Sequence, residues 1–146
     1  MNSIRVSSEI IAQFSEHAVG EYPHECCGFL IGTFDDNGST TVEYLPGINT
    51  KSTNRERRFL IDPLDYQNAE DKAEAKNMSI IGILHSHPDH PDIPSEFDRL
   101  HAFPGFSYVI ISVMDGKISG YRSWQLRNDR SAFDPESIGD MELVTV

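Results

Sequence analysis

A chain of 146 residues with 23 acidic against 12 basic side chains carries a formal net charge of −11. That balance argues against a nucleic-acid surface, which works by setting clustered Lys and Arg against phosphates. The length suits a single domain, residues 1–146, able to bury roughly 68–70% of the surface its unfolded chain exposes without a metal or disulfide staple.

The hydrophobic fraction of 38% is that of a soluble globular protein, and no apolar run is long enough to span a bilayer. The opening MNSIRVSSEIIAQF lacks a basic segment followed by an apolar one, so no signal peptide is read and the cytoplasm is the expected location. Neither a membrane nor a nucleic acid is an expected partner.

From Ser7 to Tyr22 the apolar residues Ile10, Ile11, Phe14, Ala18 and Val19 recur at helical spacing, with Ser7 or Ser8 available as N-cap and Gly20 and Pro23 to close the helix. Cys26 to Phe34 is an apolar run that predicts a strand. Asn37-Gly38 predicts a hairpin returning over Thr40 to Leu45. Pro46 to Arg57 is polar and without period, a surface loop leading to a short strand at Arg58 to Ile61. Asp62-Pro63 opens a second helix, Leu64 to Lys76, that Asn77 ends. Ser79 to Leu84 predicts a buried strand, Ser95 a short helix, and Ser107 to Met114 and Lys117 to Leu126 a hairpin about Asp115-Gly116. From Arg127 the chain is polar and turn-rich, leaving only Met141 to Val146 as a last strand. The pattern is α+β, a mixed sheet of about six strands with three helices.

The stretch HSHPDHPDIPSEFD, His85 to Asp98, holds most of the chemistry. If the strand continues past Leu84, its period of two puts His85 and His87 on one face, spaced to share a metal ion, with Ser86 pointing the other way. The prolines that follow break regular structure and place the cluster in a loop at a strand end. Zinc suits two imidazoles and one carboxylate. Three protein ligands leave a position for water, whose pKa the metal lowers to about 7. The third ligand stays open among Asp89, His90, Asp92, Glu96 and Asp98. A lone His at a strand end is more often a hydrogen-bonded surface group, and Ser95 to Asp98 also has the form of a capping box. Glu25 taken alone is an ordinary surface acid. Cys26 and Cys27 are adjacent, which suits neither an ordinary disulfide nor Cys-x-x-Cys chemistry, so they are read as buried thiols.

Two families share parts of this pattern. His85-Ser86-His87-Pro88-Asp89-His90 is similar to the His-x-His-x-Asp-His of metallo-β-lactamase-like two-metal hydrolases, but that family needs a further ligand well downstream, and the only later histidine is His101. The wider pattern, His85-x-His87-Pro88, six residues, Ser95, two residues, Asp98, resembles the JAMM motif of the MPN+ (Mov34/PAD-1) metalloproteases, small prokaryotic type. Glu25 in HECCGFLIG stands where that family has an upstream glutamate. The Asn49 loop and the segment Arg58-Phe59-x-Ile61-Asp62-Pro63 extend the similarity over most of residues 5 to 125.

The resemblance implies a JAMM/MPN domain, a curved mixed sheet flanked by helices in a three-layer α/β/α, cytidine-deaminase-like arrangement. It implies one Zn²⁺ per chain held by His85, His87 and Asp98. Glu25 would accept the proton of the attacking water and pass it to the leaving amine, and Ser95 would stabilise the oxyanion. The implied substrate is the C-terminal tail of a ubiquitin-like or sulfur-carrier protein, cleaved at a peptide or isopeptide bond. Adding that tail to a sheet edge, beside the loop from Pro46 to Arg57, would use main-chain hydrogen bonds. The contrasting expectation is a non-catalytic MPN scaffold that binds a protein partner. The sequence leaves the oligomeric state open, with a homodimer as one option.

Overall fold

The computed structural model describes residues 3–48 and 61–140. In chain order these form β1 (Ser3–Val6), α1 (Ser8–Glu21), β2 (Cys27–Asp35), β3 (Gly38–Pro46), α2 (Pro63–Ala75), β4 (Ser79–Pro88), α3 (Glu96–His101), β5 (Ser107–Met114), β6 (Lys117–Leu126) and β7 (Phe133–Asp140). Both long helices start where their caps predict. Ser7 accepts a hydrogen bond from the Ile10 amide, and Asp62 accepts one from the Leu64 amide ahead of Pro63. No described helix is long and apolar enough to cross a membrane.

The strands form a mixed sheet in the order β1-β3-β2-β4-β5-β6-β7, closed by β1, which runs parallel to both β3 and β7. Every described strand therefore has a neighbour on each side, but β1 pairs with β3 only over Gly38 to Thr40 and β7 with β6 only over Ser123 to Leu126, so the described pairings leave the edge uncovered along Thr41 to Pro46 and Lys117 to Arg122. Each strand sends at least one side chain into a common cluster: Ile4, Leu30, Tyr44, Ile81, Val109, Tyr121 and Ile138 all pack together. That cluster is the inside of the ring, and α1 fills it with Ile10, Phe14 and Ala18. The outer face of β2, β4 and β5 carries Phe29, Ile83 and Ile110 and is covered by Ala69 and Ala73 of α2. Because side chains alternate along a strand, β2, β4 and β5 are apolar on both faces, which is why they read as unbroken apolar runs.

Four local departures from the sequence expectations have physical reasons. β1 is four residues long, too short for a period to show, and its pairing is supplied by β3 and β7. β7 lies in the stretch read as turns because cross-strand polar pairs take the place of apolar alternation: Glu136 accepts hydrogen bonds from Ser123 and Gln125, and Asp134 pairs with Arg127. The first hairpin turns at Asp36 and Asn37, one residue early, and Gly38 begins β3 at φ 134°. A Cβ there would lie 1.9 Å from the Ser3 carbonyl, so glycine is what lets β1 dock. β4 runs four residues past Leu84, held by parallel pairing of His87 with Ser112 and Pro88 with Val113. The second hairpin has Asp115 at φ 51° and Gly116 at φ 79°, as a two-residue turn of the expected type requires. The expected strand from Met141 to Val146, and all but Ile61 of the one from Arg58, lie outside the described residues, as does most of the loop from Pro46 to Arg57.

Phe14 is fully buried inside the ring, edge-on to Tyr44 at 6.1 Å and to Tyr121 at 5.8 Å. Phe14→Ala should lower unfolding free energy by about 3–5 kcal/mol, read from the urea midpoint at unchanged slope.

Candidate metal centre

The site is built where β2 begins and β4 ends. The antiparallel register pairs Cys27 with His85, and the next step of the same ladder is made by the Cys26 carbonyl, which accepts from the Ser86 amide at 3.1 Å. The Ser86 hydroxyl closes the loop by accepting from the Cys26 amide at 2.8 Å. Ser86 is fully buried and points away from the histidines, as strand alternation requires. One residue further back, Glu25 then falls on the His85 and His87 side of the sheet. Glu25 is 1% exposed, and its Oε1 lies 3.6 Å from Nδ1 of His85.

Glu25, His85 and His87 present donor atoms that all lie within 4.8 Å of one another. Asp98, which is not part of that group of three, approaches the Nε2 side of both imidazoles from the first turn of α3. Its Oδ2 is 3.1 Å from Nε2 of His87 and its Oδ1 is 3.8 Å from Nε2 of His85. Three separated segments thus bring four potential donors side by side, Glu25 on one side of His85 and Asp98 on the other. The Ser95 hydroxyl accepts from the Asp98 amide at 3.1 Å, and the Ser95 amide donates to Asp98 Oδ2 at 2.8 Å. The capping box and the approach of Asp98 to the histidines are one arrangement, not rivals.

The protonation of His87 is fixed by its other partner. Its Nδ1 lies 2.7 Å from the Pro91 carbonyl, which can only accept, so Nδ1 carries hydrogen. In the neutral ring Nε2 is then a lone pair aimed at a carboxylate oxygen, and two acceptors at that distance need a cation between them. Without a metal that cation is a proton. Burial alone would lower the His87 pKa, but the hydrogen bond and charge of Asp98, with the Pro91 carbonyl, reverse this and raise it. Asp98 behaves in the complementary way: burial would raise its pKa, yet His85, His87 and the Ser95 amide hold it well below the ordinary carboxylate range. The donor chemistry, two imidazoles and one carboxylate with a second carboxylate alongside, fits zinc. The His87 to Pro91 contact is the kind of outer hydrogen bond that orients ligating imidazoles.

Asp89, Asp92, Glu96 and His101 are engaged elsewhere. Asp89 accepts from the Tyr22 hydroxyl at 2.7 Å and from the Asp115 amide at 2.8 Å, tying the end of α1 to the β5–β6 turn. His101 stacks on Phe97 and bonds its carbonyl, Asp92 lies beside Arg122, and Glu96 pairs with Arg99. The two-metal pattern that would use the Asp89-His90 part of the loop is not assembled among these residues. Cys26 and Cys27 are buried, and burial pushes the Cys26 thiol up to about 12, so neither is a poised nucleophile. The sequence reading passed over Ser86 as a residue that merely faces away. Its signal was a small hydroxyl residue between two site histidines in an otherwise apolar strand.

The family model for prokaryotic homologues of the JAB domain matches residues 7–127. This chain belongs to that family. It is 29% identical over 113 residues to a desampylase of Haloferax volcanii, a match covering 77% of this chain and 78% of that one. A desampylase of Pyrococcus furiosus is 31% identical over 104 residues, 70% of this chain and 66% of its own. Tail tip assembly protein K of Escherichia phage N15 is 37% identical over 83 residues, and the match spans only 30% of that longer protein. Among solved structures, a protein from Desulfitobacterium hafniense superposes with a TM-score of 0.81 at 28% identity over 92% of this chain and 90% of its own. One from Salinibacter ruber gives 0.73 at 38% identity over 96% and 91%. The α+β architecture of a JAB domain, and membership of the JAMM-type hydrolases, follow from these relatives.

Ser95→Ala removes the hydroxyl that caps α3 while leaving the Asp98 carboxylate in place. It should cost about 0.5–2 kcal/mol of stability in chemical denaturation.

Proposed function

We propose that the protein is a zinc-dependent peptidase or isopeptidase that hydrolyses a bond at the C-terminal tail of a ubiquitin-like or sulfur-carrier protein. The observation that carries this reading is that Glu25, His85 and His87 bring donor atoms within 4.8 Å of one another, with the Asp98 carboxylate against Nε2 of His87. The desampylase relatives support the substrate class, since enzymes of that kind act on conjugates of ubiquitin-like proteins. In this reading His85, His87 and Asp98 hold one Zn²⁺. The metal, when bound, supplies Lewis-acid polarisation and makes water acidic enough to react near neutral pH.

The chain's own groups supply the rest. Glu25 receives the proton of the attacking water on a carboxylate oxygen and delivers it to the leaving nitrogen, and a positioned base of this kind typically contributes 10²–10⁴-fold. Its burial excludes competing solvent from the transfer. Ser95 accepts a hydrogen bond from the Asp98 amide through its oxygen, which leaves the hydroxyl hydrogen to donate to the oxyanion. One such donor is typically worth about 2.7–4 kcal/mol. Asp98 is oriented by the helix start, and His87 by the Pro91 carbonyl. The same reading takes residues 1–146 as one domain in the cytoplasm, with the three-layer, cytidine-deaminase-like relationship as its fold parentage and a homodimer as one possible assembly.

Glu25→Gln should retain one zinc per chain by elemental analysis and lose about 10²–10⁴-fold in turnover of a ubiquitin-like fusion. His87→Ala and Asp98→Ala should lose the zinc as well, while Asp89→Ala should keep it. Unchanged turnover in Glu25→Gln would remove that residue from the mechanism. A wild-type protein with neither zinc nor cleavage would leave the scaffold reading in its place.

A further inference from the structure

A cavity of about 830 Å³ opens directly beside the metal centre, with His85 and Asp98 in its wall. The remaining lining is almost wholly apolar, and its aromatic members include Phe97, Phe103, Phe106 and Tyr108. Hydrolysis at the metal needs polar groups only at the reacting bond, so an apolar chamber of this size is not explained by the chemistry. It falls within the range of volumes that enclose a bound ligand. Two of its lining residues, Leu100 at 58% exposure and Phe103 at 61%, hold apolar surface open to solvent at the mouth.

One cation, Arg130, stands against the lining residues Leu100 and Phe103. The Arg130 guanidinium sits 5.6 Å from the Phe103 ring centroid and donates to the Leu100 carbonyl at 3.5 Å. Arg99, one residue before Leu100, is neutralised by Glu96, whereas Arg130 has no carboxylate within ion-pair distance among the described residues. Arg130 is itself fixed by its carbonyl, which accepts from Arg99 at 2.9 Å.

We propose that this cavity is a specificity subsite for a bulky apolar side chain of the substrate segment flanking the cleaved bond, with an acidic group of the same segment held at Arg130. The proposal rests on the peptidase reading above and deepens it: the preferred segment pairs a large apolar residue with a neighbouring acid. A basic or all-glycine segment gains nothing from this wall.

The test uses the full zinc-loaded chain in a Glu25→Gln background and calorimetric titration with short peptides. Each carries one Phe, or Ala at the same place, scanned through a glycine background with Glu or Gln as its neighbour. At the best position Phe should bind at least about tenfold tighter than Ala, the scale of burying one aromatic side chain. Leu100→Lys and Phe103→Ala, both at exposed positions, should reduce that ratio toward one, and Arg130→Gln should abolish the preference for Glu over Gln. Equal affinity for Phe and Ala peptides overturns the proposal, as does a Phe preference that survives both wall substitutions. A self-associated dimer, seen by sedimentation, that loses the interface in Leu100→Lys and excludes the peptides also overturns it. A Phe preference abolished by the wall substitutions supports the subsite even where the wild-type chain cuts none of the peptides, in which case the peptidase reading is what fails.

Discussion

The antiparallel ladder between β2 and β4 sets the geometry on which the candidate metal centre depends. Its last rungs, Cys27 against His85 and the paired hydrogen bonds of Cys26 with Ser86, decide where Glu25 stands relative to two histidines sixty residues away in the chain. In a ladder a slip of one residue turns every side chain to the other face. The same slip here would exchange Glu25 for Cys26 beside the imidazoles, and a thiol whose pKa burial pushes up to about 12 would be no proton acceptor at neutral pH. Ser86 guards against that slip by accepting from the Cys26 amide through its hydroxyl and donating its own amide to the Cys26 carbonyl. It contributes to the site without facing it.

The second constraint is electrostatic. His87 and Asp98 meet as acceptor and acceptor once the Pro91 carbonyl has claimed the imidazole hydrogen. Such a pair is a poor arrangement for stability alone, because one of the groups must take up a proton or part from the other. It is a good arrangement for holding a divalent cation, which satisfies both at once. The capping box serves this end by presenting Asp98 at a fixed angle from a helix of only six residues. Its proximity to the histidines comes from the loop Asp89 to Pro94, which is pinned along its length. The Asp89 amide donates to the Val113 carbonyl, Ser112 donates to the His90 carbonyl and Trp124 donates to the Asp92 carbonyl. A loop tethered at three points by β5 and β6 can position the Asp98 carboxylate with the precision of regular structure.

The ring closure explains how so small a domain keeps these segments in register. A seven-stranded sheet with α1 inside and α2 outside gives β2, β4 and β5 apolar neighbours on both faces, so the strands that carry the site are the most buried in the protein. The candidate site then lies at their ends, where the buried Glu25 and histidines meet the start of α3. The apolar chamber beside them continues the outer core at the start of α2, between Pro63 and Tyr66 of that helix and Phe97 and Leu100 of α3.

Much of this was legible in the chain. The helix caps at Ser7 and Asp62, the apolar runs of β2, β4 and β5 and the Asp115-Gly116 turn depend on neighbours a few residues apart, and short-range sterics and hydrogen bonding dictate them. The spacing of His85, His87, Ser95 and Asp98 carried the family for the same reason: those residues lie within fourteen positions, and their pattern is intact in one dimension. What the sequence could not decide were the choices made by distant pairing. β1 and β7 are strands because each supplies what the other lacks, one too short and one too polar to signal alone. Glu25 is buried against His85, and Asp89 is turned toward Tyr22, because of contacts 60 and 67 residues apart, and such contacts exist only once the sheet has closed.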